Sequence, residues 1–131
     1  MKRVLAFGTF DIFHKGHESY LRQAAEFGRL YVIVARDRNV EILKGSPPKN
    51  PEKIRLNKIS SLDFVHEARL GHLSDLMASI LEVDPDIVCL GYDQDGLGLE
   101  DFIKNCRKKI RILRLKPYKP NLFKSSILKK Q

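Results

Sequence analysis

Short apolar runs alternate with helical patterns along this chain, and that alternation restricts the possible folds more than any other feature. The runs have strand length and predict five β-strands, at residues 2–7, 30–35, 64–68, 86–90 and 111–115. Helical patterns lie between them, at residues 16–27, 36–43, 51–62, 74–83 and 99–109. Alternation of this kind is typical of βαβ units. The sequence therefore predicts an α/β fold, a doubly wound parallel five-stranded sheet with helices on both faces.

Length and composition indicate one ordinary globular domain. The chain has 131 residues, of which 43% are hydrophobic and 31% charged, a balance that favours a packed core over disorder. We expect a single domain over residues 1–131. No apolar run approaches the roughly 20 residues of a membrane-spanning helix, and Cys89 and Cys106 lack the spacing of a metal site. We therefore expect a cytoplasmic protein that does not contact a membrane.

Positive charge is concentrated at the end of the chain. The net charge is +8, and the segment from 104 to 130 contains eleven Lys or Arg and no acidic residue. Such a run either keeps the surface soluble or attracts a polyanion, which could be a small phosphorylated ligand or a nucleic acid. Aromatic residues are not interleaved with the basic ones as in a surface that stacks bases. The pattern favours the small phosphorylated ligand, and a nucleic-acid partner is not expected.

The strongest local signal lies between the first strand and the first helix. It reads Gly8-Thr9-Phe10-Asp11-x-x-His14-x-Gly16-His17. A helix N-terminus presents unpaired N–H groups and the positive end of a dipole, and glycine lets a ligand approach the backbone closely. The stretch predicts an anion site. Two alternatives are a pair of purely structural histidines and a zinc site, although no cysteine or acidic partner stands at a suitable spacing for zinc.

Other polar residues are predicted at the same edge of the sheet. In open parallel sheets ligands bind beyond the carboxyl ends of the strands. The loop and helices after the second strand carry Lys44 and Arg55, and Asp93 follows the fourth strand. A lysine is a mobile charge suited to phosphates, and an arginine can bind two oxygens at once.

The motif carries a resemblance to a known family. His14-x-Gly16-His17 resembles the His-x-Gly-His signature of nucleotidyltransferases, which they share with class I aminoacyl-tRNA synthetases. With Gly8-Thr9-Phe10-Asp11 in front, it is similar to the cytidylyltransferase branch, whose fold is Rossmann-like. The chain is too short for a synthetase. The resemblance implies transfer of NMP from a nucleoside triphosphate to a phosphorylated small molecule, with release of pyrophosphate.

Two further runs favour one group within this family. Ala35-Arg36-Asp37-x-x-Val40-x-x-x-Lys44-Gly45 and Leu90-Gly91-Tyr92-Asp93-Gln94 resemble the archaeal-type FAD synthases, which transfer AMP from ATP to FMN. The alternative is a glycerol-3-phosphate or other sugar- or polyol-phosphate cytidylyltransferase using CTP. Glycerol-3-phosphate cytidylyltransferases typically show Gly-Asp-Asp-Trp and Arg-Thr-x-Gly-Ile-Ser-Thr, and this chain has neither and no Trp. A second alternative is a non-catalytic module that binds nucleotide or RNA.

The resemblance also implies roles for particular residues. His14, His17, Lys44 and Arg55 would be catalytic and contact the phosphates. The nucleotide-binding residues would be Gly8, Thr9, Phe10, His14, Gly16, His17, Asp93, Tyr118, Ser125 and Ser126. The expected cofactor is Mg²⁺, with Asp11 as its ligand directly or through water, although Asp11 could instead cap the loop that follows it. The sequence does not fix the oligomeric state, but similar enzymes are often dimers, so the resemblance makes a homodimer one possible assembly.

Overall fold

The computed structural model describes residues 1–72, 76–92, 94 and 98–117. Its sheet is built from β1 (Arg3–Gly8), β2 (Arg29–Val34), β3 (Glu67–Leu70), β4 (Ile87–Leu90) and β5 (Arg111–Arg114). All neighbouring strands are parallel, and their order across the sheet is β3-β2-β1-β4-β5. The predicted five-stranded parallel sheet is confirmed.

The described part of the chain contains five helices that connect the strands. They are α1 (Lys15–Ala25), α2 (Asp37–Lys44), α3 (Glu52–Ser60), α4 (Leu76–Val83) and α5 (Leu99–Lys104). Residues of α1 and α3 pack with alternate strand residues such as Val4 and Val32. Residues of α4 and α5 pack with the intervening ones, such as Leu5 and Ile33. Because neighbouring strand residues point to opposite faces, both faces are buried, as a doubly wound fold requires.

The third strand lies further along the chain than the sequence predicts. The predicted run was 64–68, whereas β3 spans Glu67–Leu70. The apolar residues that suggested a strand, Phe64 and Val65, pack against the core cluster on the α1 and α3 face before the strand begins. The strand itself contains Glu67 and Arg69, and it lies at the edge of the sheet. None of the helices among the described residues is long and apolar enough to cross a membrane.

The sheet opens between β1 and β4. β1 pairs with β2 over six residues, but it pairs with β4 only at Val4–Ile87 and Leu5–Val88. Beyond Leu5 the two central strands separate toward their carboxyl ends. The direction in which the chain adds strands also reverses between β1 and β4, and such a switch point is where open α/β sheets bind ligands.

Candidate functional site

A cleft of about 970 Å³ lies at the carboxyl ends of β1 and β4. Eight of the predicted site residues line it, namely Gly8, Thr9, Phe10, Asp11, His14, Gly16, His17 and Lys44. Arg55 does not line it. The other predicted site residues lie outside the described part of the chain, and these are Asp93, Tyr118, Ser125 and Ser126.

The two histidines are oriented by the start of α1. His14 is the N-cap residue, and its Nδ1 accepts a hydrogen bond of 3.0 Å from the backbone N–H of Gly16. The Nδ1 of His17 accepts one of 3.3 Å from the backbone N–H of His14. An acceptor nitrogen carries no proton, so the proton of each neutral ring is on Nε2. The rings stack, with centroids 3.8 Å apart, and both residues line the cleft.

The ring of Phe10 packs against the stacked histidines. Its side chain is buried, and its ring meets the His17 ring edge to face at 5.4 Å. Its backbone has φ of 54°, a left-handed conformation that is costly for a bulky residue. The same ring explains Gly8, because a Cβ at that position would lie 3.0 Å from Cζ of Phe10. Both Gly8 and His17 therefore lie against the ring of Phe10.

Gly16 leaves room for the His14 ring. A Cβ on Gly16 would lie 2.9 Å from Cε1 and 3.1 Å from Nδ1 of His14. Alanine is otherwise a better helix residue than glycine. The glycine between the histidines is therefore explained by the position of the imidazole.

Replacing Gly16 by alanine should separate activity from stability. We expect kcat to fall about 10- to 100-fold if His14 has its predicted catalytic role, because the His14 ring would be shifted. The midpoint of thermal unfolding should stay within about 3 °C, because the gain in helix propensity offsets the local crowding. Steady-state turnover and a thermal melt of the same sample test this. A variant with normal kcat would show that the ring position is unimportant.

Asp11 joins two loops at the mouth of the cleft. Its carboxylate accepts the backbone N–H groups of Lys49 and Asn50, each at 2.8 Å. Asn50 returns a side-chain hydrogen bond to the backbone carbonyl of Asp11. The N–H of Lys49, followed by that of Asn50, holds the pKa of Asp11 below its ordinary value of 3.8. Asp11 therefore caps the loop before α3, whereas the alternative stated from the sequence was that it caps the loop that follows it.

The described residues do not form a metal site around Asp11. Among residues 1–72, 76–92, 94 and 98–117, no three His, Cys, Asp or Glu side chains are grouped closely enough to hold an ion. Both carboxylate oxygens of Asp11 already accept backbone N–H groups. The expectation that Asp11 is a Mg²⁺ ligand therefore finds no support in this geometry.

The lowered pKa of Asp11 makes the loop junction sensitive to acid. A carboxylate with a depressed folded pKa stabilises the fold above its unfolded pKa, and this contribution is lost as the pH falls through the folded value. We expect the free energy of unfolding to fall as the pH drops below about 4. Asp11→Asn should reduce the slope in that range, and Asp63→Asn is the matched surface control. Denaturant unfolding at pH 6, 4 and 3 measures the effect, and equal slopes in Asp11→Asn and the unaltered protein would contradict it.

Arg55 does not line the cleft, so this geometry gives no support to its predicted triphosphate contact. The residue is 1% exposed. Its guanidinium donates to the carbonyls of Thr9 (2.8 Å), Ala35 (2.7 Å) and Asn50 (2.9 Å). Its Nη2 pairs with the Asp37 carboxylate at 2.7 Å. Arg55 therefore ties together the turns after β1 and β2 and the loop before α3.

Comparison with known proteins identifies the family. The model of the cytidylyltransferase-like family matches residues 5–131. The chain belongs to the cytidylyltransferase-like family. The FAD synthase of Aciduliprofundum boonei is 45% identical over 122 residues, covering 90% of this chain and 80% of that protein. The FAD synthase of Thermoplasma acidophilum is 42% identical over 134 residues, covering 100% of this chain and 94% of that protein.

A solved structure has the same cytidylyltransferase-like fold. It is a protein of Thermoplasma volcanium described as a lipopolysaccharide core biosynthesis protein. It superposes with a TM-score of 0.84 at 42% sequence identity, covering 90% of this chain and 98% of that one. The names of these relatives therefore refer to two different processes, FAD synthesis and lipopolysaccharide core biosynthesis.

The cleft also contains residues that the sequence analysis did not assign to the site. They are Phe7, Ile12, Lys15, Tyr20, Lys49, Lys116 and Pro117. Gly91, Tyr92 and Gln94 also line the cleft, and they belong to the run after the fourth strand that resembles the FAD synthases. Lys116 is held there by Gln23 of α1, whose amide donates to the Lys116 carbonyl (2.9 Å) and accepts from its N–H (3.0 Å). Lys15 stands inside the cytidylyltransferase-like motif and could have been noticed. Lys116 had no local signal, because its position depends on a contact across 93 residues.

Proposed function

We propose that this protein is an FMN adenylyltransferase, an FAD synthase that transfers AMP from ATP to FMN and releases pyrophosphate. The observation that carries the proposal is similarity along the whole chain, since the Thermoplasma acidophilum FAD synthase aligns over 100% of it. The same activity is named for the Aciduliprofundum boonei and Methanohalophilus mahii relatives, which are 45% and 43% identical. The geometry of the cleft agrees with the chemistry that this transfer needs.

The reaction exchanges one phosphoanhydride bond for another. An oxygen of the FMN phosphate attacks the α-phosphorus of ATP in line, the bond from that phosphorus to the β-bridging oxygen breaks, and pyrophosphate leaves. Catalysis then depends on positioning and charge stabilisation. We propose that the Nε2–H groups of His14 and His17 donate to the α-phosphate and the leaving oxygen, where negative charge develops. The positive end of the α1 dipole lies at the same place.

Lysines around the cleft would neutralise the polyphosphate. Lys15 is the first residue of α1, Lys44 and Lys49 belong to the segment from α2 to α3, and all three line the cleft. Asp11 fixes the backbone of Lys49 next to that turn. We assign these lysines to the β- and γ-phosphates. A divalent cation, which we propose is Mg²⁺, would enter bound to the triphosphate and neutralise part of its charge.

The β4 side of the cleft suits a planar ring. Tyr92 and Ile12 line the cleft and are 54% and 56% exposed. Exposed apolar side chains of this size favour stacking on a flat heterocycle such as adenine or isoalloxazine. Asp93, Tyr118, Ser125 and Ser126 are proposed to complete the nucleotide and acceptor contacts.

A sugar-phosphate transferase is the competing function. It is favoured by the description of the Thermoplasma volcanium structure, which names lipopolysaccharide core biosynthesis. Such an enzyme would use the same phosphate chemistry with a different acceptor. The acceptor must therefore be tested directly.

A substrate matrix decides between these functions. Purified protein is incubated with ATP or CTP, each paired with FMN, glycerol 3-phosphate or a heptose phosphate, and pyrophosphate release is measured. We expect turnover with ATP and FMN and formation of FAD. Turnover only with CTP and glycerol 3-phosphate or a heptose phosphate would establish the competing function. Salt-sensitive binding of polynucleotide without any turnover would indicate a non-catalytic module.

A further inference from the structure

Two side chains bridge β1 and β4 where their backbones no longer pair. The hydroxyl of Tyr20 accepts the N–H of Phe7 at 3.2 Å and donates to the carbonyl of Cys89 at 2.7 Å. Burial raises the pKa of Tyr20, so its hydroxyl remains protonated and able to donate. The amide of Gln94 donates to the Phe7 carbonyl at 2.9 Å and accepts the Gly91 N–H at 2.7 Å. These bonds replace the missing ladder and keep the strands apart at a fixed distance.

Arg114, at the end of β5, makes hydrogen bonds to the residues that follow β4. Residues Gly91, Tyr92 and Gln94 are called the β4 turn here. One guanidinium nitrogen of Arg114, Nη1, donates to all three of their carbonyls, at 2.7, 3.3 and 2.8 Å. Arg114 is the last residue of β5, is itself exposed, and does not line the cleft. Within the described part of the chain, Arg114 can therefore influence the cleft only by way of the β4 turn.

The β4 turn is the part of the wall that carries Tyr92. Its carbonyls are oriented toward Arg114, and its first N–H is oriented toward Gln94. A short turn outside regular structure loses backbone entropy when it is fixed. The hydrogen bonds from Arg114 and Gln94 offset this cost. A turn fixed in advance binds a ligand better than one that must be ordered on binding.

We propose that Arg114, together with Gln94, is a positioning residue that fixes the β4 turn as the wall on which a planar heterocyclic ring of a substrate rests. The inference rests on the proposed function for the identity of that substrate. The ring is either the adenine of ATP or the isoalloxazine of FMN, and both offer the same flat surface to Tyr92. Arg114 acts through the turn and leaves the phosphate chemistry at His14 and His17 unchanged.

The test compares Arg114→Gln with Arg111→Gln. Both arginines are exposed on β5 and lose the same charge, but Arg111 lies opposite Ile87 at the other end of the strand. We expect Arg114→Gln to raise KM for ATP or for FMN about tenfold, with kcat changed less than about threefold. The substrate whose KM rises is the one that rests on the turn. Arg111→Gln should leave both constants unchanged.

Amide hydrogen exchange gives a readout that needs no substrate. The peptide containing Gly91 and Tyr92 should exchange about tenfold faster in Arg114→Gln and not in Arg111→Gln. Arg114→Lys should restore slow exchange in large part, since a single nitrogen makes all three bonds and an ammonium group carries three donors. Unchanged exchange in Arg114→Gln would overturn the proposal.

The proposal and the proposed function fail in different ways. Faster exchange with both KM values unchanged would overturn the positioning role. If the unaltered protein forms no FAD, the proposed function is refuted, and calorimetric titration with ATP and with FMN then replaces the kinetic arm. Weaker binding of either compound by Arg114→Gln would still support the positioning role, and equal binding of both would overturn it.

Discussion

A double variant, His14→Asn with His17→Gln, should lose AMP transfer and keep its fold. Each imidazole is proposed to supply one donor to the charge that develops on the phosphates. Loss of one preorganised donor costs about 10²- to 10³-fold in rate. We expect each single variant to lose about that factor, and the double variant to fall below detection, since residues acting as a unit are not additive.

The substitutions are chosen to preserve the helix start. His14 and His17 together form a reciprocal cap, in which each Nδ1 accepts a backbone N–H. Alanine at position 14 would remove this cap and cost about 1 kcal/mol. Asparagine is a good N-cap residue, and glutamine three positions later can accept the N-cap N–H. The variant thus removes both imidazoles and retains acceptors for the same backbone groups.

Turnover of ATP and FMN and urea unfolding are measured on the same preparations. Lys15→Gln is the matched control, because it changes the residue between the two histidines without touching either ring. We expect it to act mainly on KM for ATP. Near-normal kcat in the double variant would remove the catalytic role of the motif. Loss of cooperative unfolding would show that the histidines are chiefly structural.

Replacing Arg55 by alanine should unfold the protein at much lower denaturant concentration. The change removes the buried partner of an ion pair whose other member, Asp37, is 38% exposed, together with the donors of three loop carbonyls. Leaving a buried acceptor without its donor costs about 1–3 kcal/mol, so we expect a total loss of at least about 3 kcal/mol. Arg55→Lys should lose a smaller part of this, since an ammonium group cannot reproduce the planar fork. Urea unfolding gives the free energies, with exposed Arg38→Ala as a control that should stay within about 0.5 kcal/mol.

The Arg55 result separates a structural role from a substrate contact. If Arg55 ties the loops together, destabilisation should accompany any loss of activity in both variants. A direct triphosphate contact predicts the opposite pattern, in which stability is nearly unchanged and KM for ATP rises. That pattern in Arg55→Lys would contradict the role described here.

The sequence was informative where a physical pattern is local. Apolar runs bounded by turn residues predicted the five strands, and their alternation with helices predicted the parallel sheet. The prediction failed for β3, where Phe64 and Val65 are apolar because they pack against the core before the strand begins. An apolar run shows burial, and it does not show whether the buried segment pairs with a neighbouring strand.

The candidate site could likewise be predicted only where its residues lie close together in the sequence. His14, Gly16 and His17 stand close in sequence, and each constrains the next through a short hydrogen bond or a close approach. The structural contacts of Arg55 could not be predicted because they include backbone carbonyls from three separate segments, which leave no side-chain pattern. Within α3 the apolar Ile54 is 55% exposed, whereas the charged Arg55 is buried. Arg114 and Lys116 were missed because their partners lie 20 to 93 residues away.

The fate of the α-phosphate tests the central claim most directly. Unaltered protein is incubated with FMN and ATP labelled with ³²P at either the α- or the γ-position, and the flavin product is separated and counted. Adenylyl transfer predicts one α-label per flavin product, none of the γ-label, and an equal amount of pyrophosphate. Label from the γ-position in the flavin, or no label from either position, would contradict the assignment of this cleft to AMP transfer.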